Sequence, residues 1–425
     1  MKSKIIPILL SKFPKKFSID TLWLSLAQIS LILSGLILNI IITKYFSVSL
    51  LGVYNQVLGI YSILGVVFSL GINNSIIYQL SLTNGEKKNA EIFSSNIFIS
   101  IICSILLTVV CWLITIKLPF IFSSTQVANN MLLIYPAIIL FIINKNFMSL
   151  LTAFRYQKQY SIIRTFRWLL IVMITLLFSL IYKNSNLIFA APLITEAIIF
   201  IFMLILYNKY ILFNFKLDNL KTNLMFAFKS YISEVFSIVS SKADLVILGY
   251  VLVANQVGEF SFLIYFAKSI LIFPGILQQN LNPIVRDYYY QKRLIELIPK
   301  LKKVKIINLI TISVQSIFIC LFYYILVKYY LFEYFDTFNY LLLAVISVFP
   351  LAMISWGGGI LVMTNHLKQN FYRTLIIMIV SGISLLLLSN VFGIYGAILS
   401  IFITSVISVI LLNEFSKSRL SIRLL

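Results

Sequence analysis

Three lysines and three carboxylates stand inside long apolar stretches of this sequence: Lys145, Lys242 and Lys268 against Glu196, Glu234 and Asp244. Their types suit two kinds of work. A lysine ammonium in a partly dehydrated place grips an anion, because charge-assisted hydrogen bonds are about twice as strong as neutral ones. A carboxylate in such a place exchanges a proton or a small cation, since burial disfavours its charged form. Neither is bond-making chemistry. The single histidine, His366, falls in a predicted turn. The cysteines are Cys103, Cys111 and Cys320. The first two lie about 12 Å apart on one helix at 1.5 Å per residue, too far for a disulfide. No catalytic residue, metal site or cofactor is expected. No glycine-rich loop ends in the Gly-Lys-Ser or Gly-Lys-Thr of a nucleotide-binding turn.

The elements that must hold these groups are membrane spans. The chain of 425 residues is 60% hydrophobic and 11% charged, with mean hydropathy +1.00. A soluble domain is about 45–50% apolar and about 25% charged. The apolar runs are continuous rather than alternating, which predicts helices. They cover 21–43, 51–80, 92–116, 131–153, 165–182, 187–207, 227–252, 259–284, 306–327, 338–363, 374–390 and 393–413. Runs of about 20 apolar residues cross a bilayer. The expected fold class is therefore an all-α polytopic membrane protein of twelve spans. No small-residue cleavage site follows the first run, so it reads as a retained helix.

The net charge of +21 follows from topology rather than from nucleic acid. Of the 34 lysines and arginines, 27 fall in connections on one side of these runs or at the runs' edges on that side (Arg167 and Lys229), four (Lys44, Lys117, Lys183, Lys328) on the other side, and three deep within the runs. By the positive-inside rule both termini are cytoplasmic. A basic inner face also meets anionic membrane lipid.

The chain reads as one unit written twice. "SLLGVYNQ" at Ser49 to Gln56 is echoed by "NQVGEFSF" at Asn255 to Phe262, with Gly52 and Gly258 separated by 206 positions. "YQKQYSIIRT" at Tyr156 to Thr165 is echoed by "HLKQNFYRT" at His366 to Thr374. Six spans return the chain to the inside, so both halves run the same way up. Parallel repeats of this kind are a transporter design, with substrate bound at the repeat interface. The expected parts are an N-terminal six-helix lobe at 1–208, a cytoplasmic linker at 209–226 and a C-terminal lobe at 227–425.

Two spans carry a polar face. In the seventh, Ser230, Ser233, Glu234, Ser237, Ser240, Ser241 and Asp244 fall within an arc of about 120°. Lys242 sits at the shoulder of that arc, where it serves either to grip a substrate or only as the structural counter-ion of a carboxylate. In the first, Thr21, Ser25, Gln28, Gly35, Asn39 and Thr43 fall within about 80°. Gln28 and Glu234 coincide in the repeat, so the two stripes are expected to face a hydrated cleft. A carboxylate facing hydrocarbon is expensive. Glu196 follows Pro192, which is expected to loosen its helix. Lys268 has no acidic neighbour in sequence, and Lys145 stands about ten residues before Arg155. Asn73, Asn74, Gln279 and Asn280 read as interfacial caps. The run Trp356 to Gly359 reads as close helix contact.

The segments "TKYFSVSLLGVYNQVLGIYSILGVVFSLGINNSII" and "SKADLVILGYVLVANQVGEFSFLIYFAKSILIFPGILQQNLNPIV" resemble the O-antigen flippases of bacteria. The second carries Asp244, Gly249, Gly258, Phe260, Lys268 and Pro283 of that pattern. These flippases are the polysaccharide-biosynthesis branch of the multidrug/oligosaccharidyl-lipid/polysaccharide exporter superfamily. The resemblance implies two six-helix lobes in a V around a central cavity, in the bacterial inner membrane. It implies a substrate of undecaprenyl-pyrophosphate-linked oligosaccharide, an O-antigen or capsule repeat unit, turned from the inner to the outer leaflet by alternating access. Partners would be H+ or Na+, membrane lipids and other polysaccharide-assembly proteins. On this reading Lys145, Lys242, Lys268, Gln28 and Asn39 bind substrate, while Glu234, Asp244 and Glu196 couple to the ion. A drug or cation antiporter of the same superfamily would share the architecture. A membrane polysaccharide polymerase or acyltransferase fits less well, lacking a long outer loop and a histidine base.

Overall fold

The computed structural model describes residues 15–83, 85–182, 185–212, 220–364 and 366–420. The described chain is helical, with no strand. The helices are α1 (Lys15–Tyr45), α2 (Val48–Val67), α3 (Ile72–Leu82), α4 (Glu86–Lys117), α5 (Thr125–Ala153), α6 (Gln157–Leu177) and α7 (Ala191–Tyr207). They continue as α8 (Leu220–Val251), α9 (Ala254–Lys268), α10 (Ile272–Tyr290), α11 (Leu294–Tyr329), α12 (Phe338–Ile354), α13 (Ile360–Met363) and α14 (Leu367–Leu420).

Ten of the described spans are long and apolar enough to cross a membrane. The last of them, Lys368–Ser418, runs 51 residues. Backbone at Gly393 leaves the helix there (φ 58, ψ −131), a positive φ that glycine adopts without strain. It divides α14 into the two spans expected from the sequence. The expected seventh span lies in α8, whose Lys221, Lys229, Glu234, Lys242 and Asp244 lower its hydropathy. The twelve predicted runs are thus all helical, and the chain is a multi-pass membrane protein. On α11, Ile306, Ile310, Val314, Ile317 and Leu321 form a stripe, each more than half exposed. A stripe of that size is stable only against lipid.

The second run of each half is broken rather than continuous. In the first half the break falls at 68–71, between α2 and α3; in the second a short 3-10 turn, Ser269–Leu271, separates α9 from α10. Gly71, in the left-handed region at φ 72, caps α3. Asn73 and Asn74 therefore lie inside α3 and are not its caps, a correction of the sequence reading; Asn73 donates to Asn74 Oδ1 at 3.2 Å. The side chains of Gln279 and Asn280 lie outside the described residues.

The chain forms two compact units. One comprises Met1–Ile41, Leu64–Lys117 and Asn130–Ile232; the other comprises Ile42–Ile63, Leu118–Asn129 and Ser233–Leu425. The first has a core of Ile76, Phe93, Phe147, Leu150 and Met203. The second has a core of Val285, Leu297, Trp356, Leu361 and Leu412. Trp356 is buried, and a Cβ on Gly359 would lie 2.0 Å from Asn282 Oδ1. Close contact at the glycine run is what the sequence suggests.

The repeat becomes physical in the second unit. A Cβ on Gly52 would lie 2.2 Å from Ala254 O and 2.8 Å from Gly258 N. A Cβ on Gly258 would lie 2.0 Å from Val48 O. Val48 and Ala254 are separated by 206 positions, as Gly52 and Gly258 are. The two contacts are therefore images of one another under exchange of the halves. Asn55 Nδ2 donates to Ser261 Oγ at 2.9 Å, again across 206 positions. Small residues let membrane helices meet backbone to backbone. Helix α8 joins the same seam: a Cβ on Gly249 would lie 2.0 Å from Gln56 Oε1, which accepts from Ser123 Oγ at 2.5 Å.

Substitution separates seam glycines from the others. Gly52→Ala and Gly258→Ala force backbone apart and each cost about 1–3 kcal/mol or more. Gly275→Ala and Gly382→Ala, with nothing within 4 Å of the new methyl, are expected to be neutral or to stabilise by about 0.5–1 kcal/mol. Melting temperatures of the four purified variants in detergent check this. Equal losses in all four would mean the seam is not tight.

Candidate functional site

The intramembrane charges separate into two groups, one in each unit. In the second unit, α8 carries Asp244 and α9 ends on Lys268. The Lys268 Nζ lies 2.5 Å from Asp244 Oδ2. The other carboxylate oxygen accepts from the Leu245 amide at 2.9 Å. Lys268 is the last residue of α9, and a cation at a helix C-terminus suits the helix dipole. Lys242, for which the sequence leaves open the roles of substrate contact and counter-ion, exposes its side chain. It stays within electrostatic range of both Lys268 and Asp244. Glu234 is half-buried on α8. Ser241, exposed, donates to Ile238 O at 2.9 Å. The side chains of Ser230, Ser233, Ser237 and Ser240 on the predicted stripe lie outside the described residues.

In the first unit, Glu196 is 1% exposed. Its Oε1 lies 3.1 Å from Arg167 Nε. Asn144 Nδ2 donates to both Glu196 Oε2 at 2.8 Å and Glu196 O at 2.9 Å. The Arg167 guanidinium also sits 5.4 Å over the Phe141 ring. Helices α5, α6 and α7 thus meet at one buried ion pair. Pro192 falls in the first turn of α7. There its missing N–H costs nothing, so it opens the helix rather than loosening it, contrary to the sequence reading.

Arg167 is the residue that sequence reasoning missed. It stands at the third position of the apolar run 165–182, at the edge where the inner connection ends. An arginine inside one run and a glutamate inside the next were the available signal. Arg164 Nη2 donates to Gln28 Oε1 at 2.9 Å, so Gln28 on the first stripe is already engaged. Lys158 Nζ lies 5.3 Å over the Trp23 ring of the same helix. Asn39 is buried. Lys145 is half-buried on α5, beside Asn144 in sequence. Thr21 lies outside the described side chains. His366 Nδ1 is 3.0 Å from Thr364 Oγ1, in the turn between α13 and α14. The three cysteines are free thiols, and among the described residues no cluster of histidine, cysteine and carboxylate could hold a metal ion.

The family model described as polysaccharide biosynthesis protein matches residues 19–286, well over half of the chain. The chain belongs to the polysaccharide biosynthesis protein family. No curated protein matches it. Among solved structures, this family member is similar to the lipid II flippase MurJ in an inward closed conformation, with a TM-score of 0.75 and 15% identity over 92% of this chain and 87% of that one. It is similar to an inward-facing multidrug resistance MATE family transporter of the MOP superfamily, with a TM-score of 0.76 and 11% identity over 93% of this chain and 98% of that one. It is also similar to the MATE multidrug transporter DinF-BH, with a TM-score of 0.66 and 15% identity over 96% of each chain. At these identities the likeness shows the fold alone, which this chain shares with a lipid II flippase and with MATE transporters.

The two ion pairs of this polysaccharide biosynthesis family member differ in depth, and so in worth. Glu196 and Arg167 side chains are 2% and 13% exposed. Removing one member strands the other, at a cost of about 3–5 kcal/mol. Glu196→Leu is expected to destabilise the protein severely, and Glu196→Leu with Arg167→Met to recover most of the loss. Melting of the single and double variants measures it; additive losses would mean the charges do not depend on each other.

The Asp244 and Lys268 side chains are 12% and 39% exposed, so water screens part of their attraction and about 1–2 kcal/mol is expected. Lys268→Glu lowers the yield of folded protein, and adding Asp244→Lys restores it. Lys242→Glu is not rescued by Asp244→Asn. Rescue of Lys242→Glu but not of Lys268→Glu would reassign the pair.

Proposed function

We propose that this protein is a flippase that turns lipid-diphosphate-linked oligosaccharide, an O-antigen or capsule repeat unit, from the inner to the outer leaflet of the bacterial inner membrane. The observation that carries the reading is the family match in a chain with the exporter fold. Moving a lipid-linked sugar between leaflets calls for no reaction inside the membrane, but for passage of a sugar and a diphosphate through hydrocarbon. Both termini are cytoplasmic on this reading, and the chain works by alternating access without cofactor or nucleotide.

The salt bridge of Asp244 with Lys268 suggests how passage is coupled to an ion gradient. A diphosphate competes for the lysine, since charge-assisted bonds to phosphate match those to carboxylate. Each ammonium taken by substrate leaves a carboxylate without its partner, and Asp244 is then free to take a proton or Na+. Binding of anion and cation is thereby positively linked, and the linkage is reciprocal. Glu234 is the second carboxylate of this coupling. Lys242 in the second unit, and Lys145 with Gln28 and Asn39 in the first, supply further contacts to the substrate. Glu196, engaged by Arg167 and Asn144, acts in support of these groups rather than by exchanging an ion itself.

A drug antiporter is the second reading, favoured by the similarity to MATE transporters. The two are told apart in proteoliposomes. A flippase exposes a fluorescent prenyl-diphosphate oligosaccharide in the inner leaflet to an impermeant glycosidase outside, at least about tenfold faster than empty liposomes. Asp244→Asn and Glu234→Gln flatten the dependence of that rate on the proton or sodium gradient. Drug accumulation driven by the gradient, with no acceleration of lipid exposure, would replace the flippase by the antiporter.

A further inference from the structure

Arg373 stands near the start of α14, about 9 Å along the helix from Leu367 at 1.5 Å per residue. Its Nη2 donates to Ser408 Oγ at 2.9 Å, on the far arm of the same helical hairpin. Its Nε is buried and, among the described residues, has no hydrogen-bond partner. Arg167 and Arg293 are each paired with a glutamate. Arg373 has a serine hydroxyl instead, and among the described residues no carboxylate lies within ion-pair reach. Phe371, two positions earlier and so on another side of the helix, packs against Phe236 at 5.7 Å and Tyr372 at 5.9 Å. In the repeat its counterpart is Arg164, which is likewise held by a neutral acceptor, Gln28.

A guanidinium stays protonated in proteins, so it cannot escape burial by losing its charge. Taking it from water without a counter-charge is expensive. The chain keeps this cost at a fixed place, clamped by Ser408. The serine oxygen accepts from the arginine and retains its own proton to donate. Arg373 Nε–H and Ser408 Oγ–H are thus two donors beside one positive charge, short of an anion. Arginine forks match the oxygens of phosphate, and a depth of about 9 Å from a helix end is within reach of lipid headgroups.

We propose that Arg373, positioned by Ser408, is a binding site for the phosphate of a lipid. The phosphate belongs either to a phospholipid of the bilayer or to the diphosphate of the carried lipid; only the second source rests on the flippase reading.

The site is tested on the full chain in alkyl maltoside micelles, which contain no phosphate. Three probes are titrated while melting temperature is followed: farnesyl diphosphate, dioleoylphosphatidylglycerol and farnesol. Farnesol is expected to have no effect. At least one phosphate probe stabilises the wild type saturably. Arg373→Gln weakens its binding at least about tenfold, Arg373→Lys by less, and Ser408→Ala by a few-fold, while the probe-free melting temperature of Arg373→Gln is unchanged or raised. Binding of phosphatidylglycerol alone upholds the site and excludes the carrier as its occupant, whatever the proteoliposome assay reports. Binding of farnesyl diphosphate upholds it with the carrier. If Arg373→Gln does not fold, the apolar isostere Arg373→Met takes its place. The proposal is overturned if a folded variant lacking the guanidinium binds both phosphate probes like the wild type. It also falls if the wild type binds neither, or if neither neutral variant folds, since the guanidinium is then structural.

Discussion

Backbone of α2 meets backbone of α9 with no side chain between them, and much of the second unit follows from that one approach. Gly52 and Gly258 leave no room for a methyl. In water, helices are driven together by the apolar faces they hide. In a bilayer that drive is missing, because lipid tails are as apolar as leucine; what remains is close contact and polar bonding across the interface. The seam uses both. The glycines supply the approach, and Asn55 and Ser261 supply the hydrogen bond. Gln56 then extends the contact to Gly249, which fixes α8 and with it Asp244. Lys268 terminates the helix that the seam holds. The ion pair that matters most to the proposed coupling is therefore placed by residues that carry no charge.

Charge in the membrane is handled differently in the two units. Arg167 and Glu196 share a buried place in which Asn144 completes the carboxylate shell, and α5, α6 and α7 are tied together by it. That arrangement is closed: the opposite charges meet each other and little water reaches them. Asp244 and Lys268 form a pair with one member partly in water and a second lysine nearby. An open pair of this sort can exchange partners. The contrast separates a charge pair that builds the fold from one that can work.

Much of the fold was legible in the residues. All twelve apolar runs are helical, because the solvent demands that each spanning segment satisfy its own backbone. The repeat was legible from the spacing of Gly52 and Gly258, though not that these glycines touch. The partners of the charges were harder to read. Lys242 is two positions from Asp244, near enough in sequence to be read as its counter-ion, but residues two apart on a helix point to different sides. Lys268, 24 positions away, is the partner. Arg167 was hidden by the habit of assigning any arginine near a run's end to the adjoining loop. Helix breaks were similarly opaque: two of the long runs are interrupted at their middle, where composition stays apolar and only Gly71 or a short tight turn marks the change.

The seam has the form of an isologous contact, the kind that joins two identical subunits about a two-fold axis. Position 48 meets 258 while position 52 meets 254, so each surface is its own complement. Such an interface is solved once and obtained twice. Once both copies lie in a single chain they can diverge everywhere except here, since a bulkier residue on either side collides with the other's main chain. Asparagine at 55 and serine at 261 show that only the backbone contact binds the two copies to likeness: these equivalent positions bond to each other through different side chains. The seam is thus the part of the molecule in which the two halves meet as equals, each holding the other by the same positions.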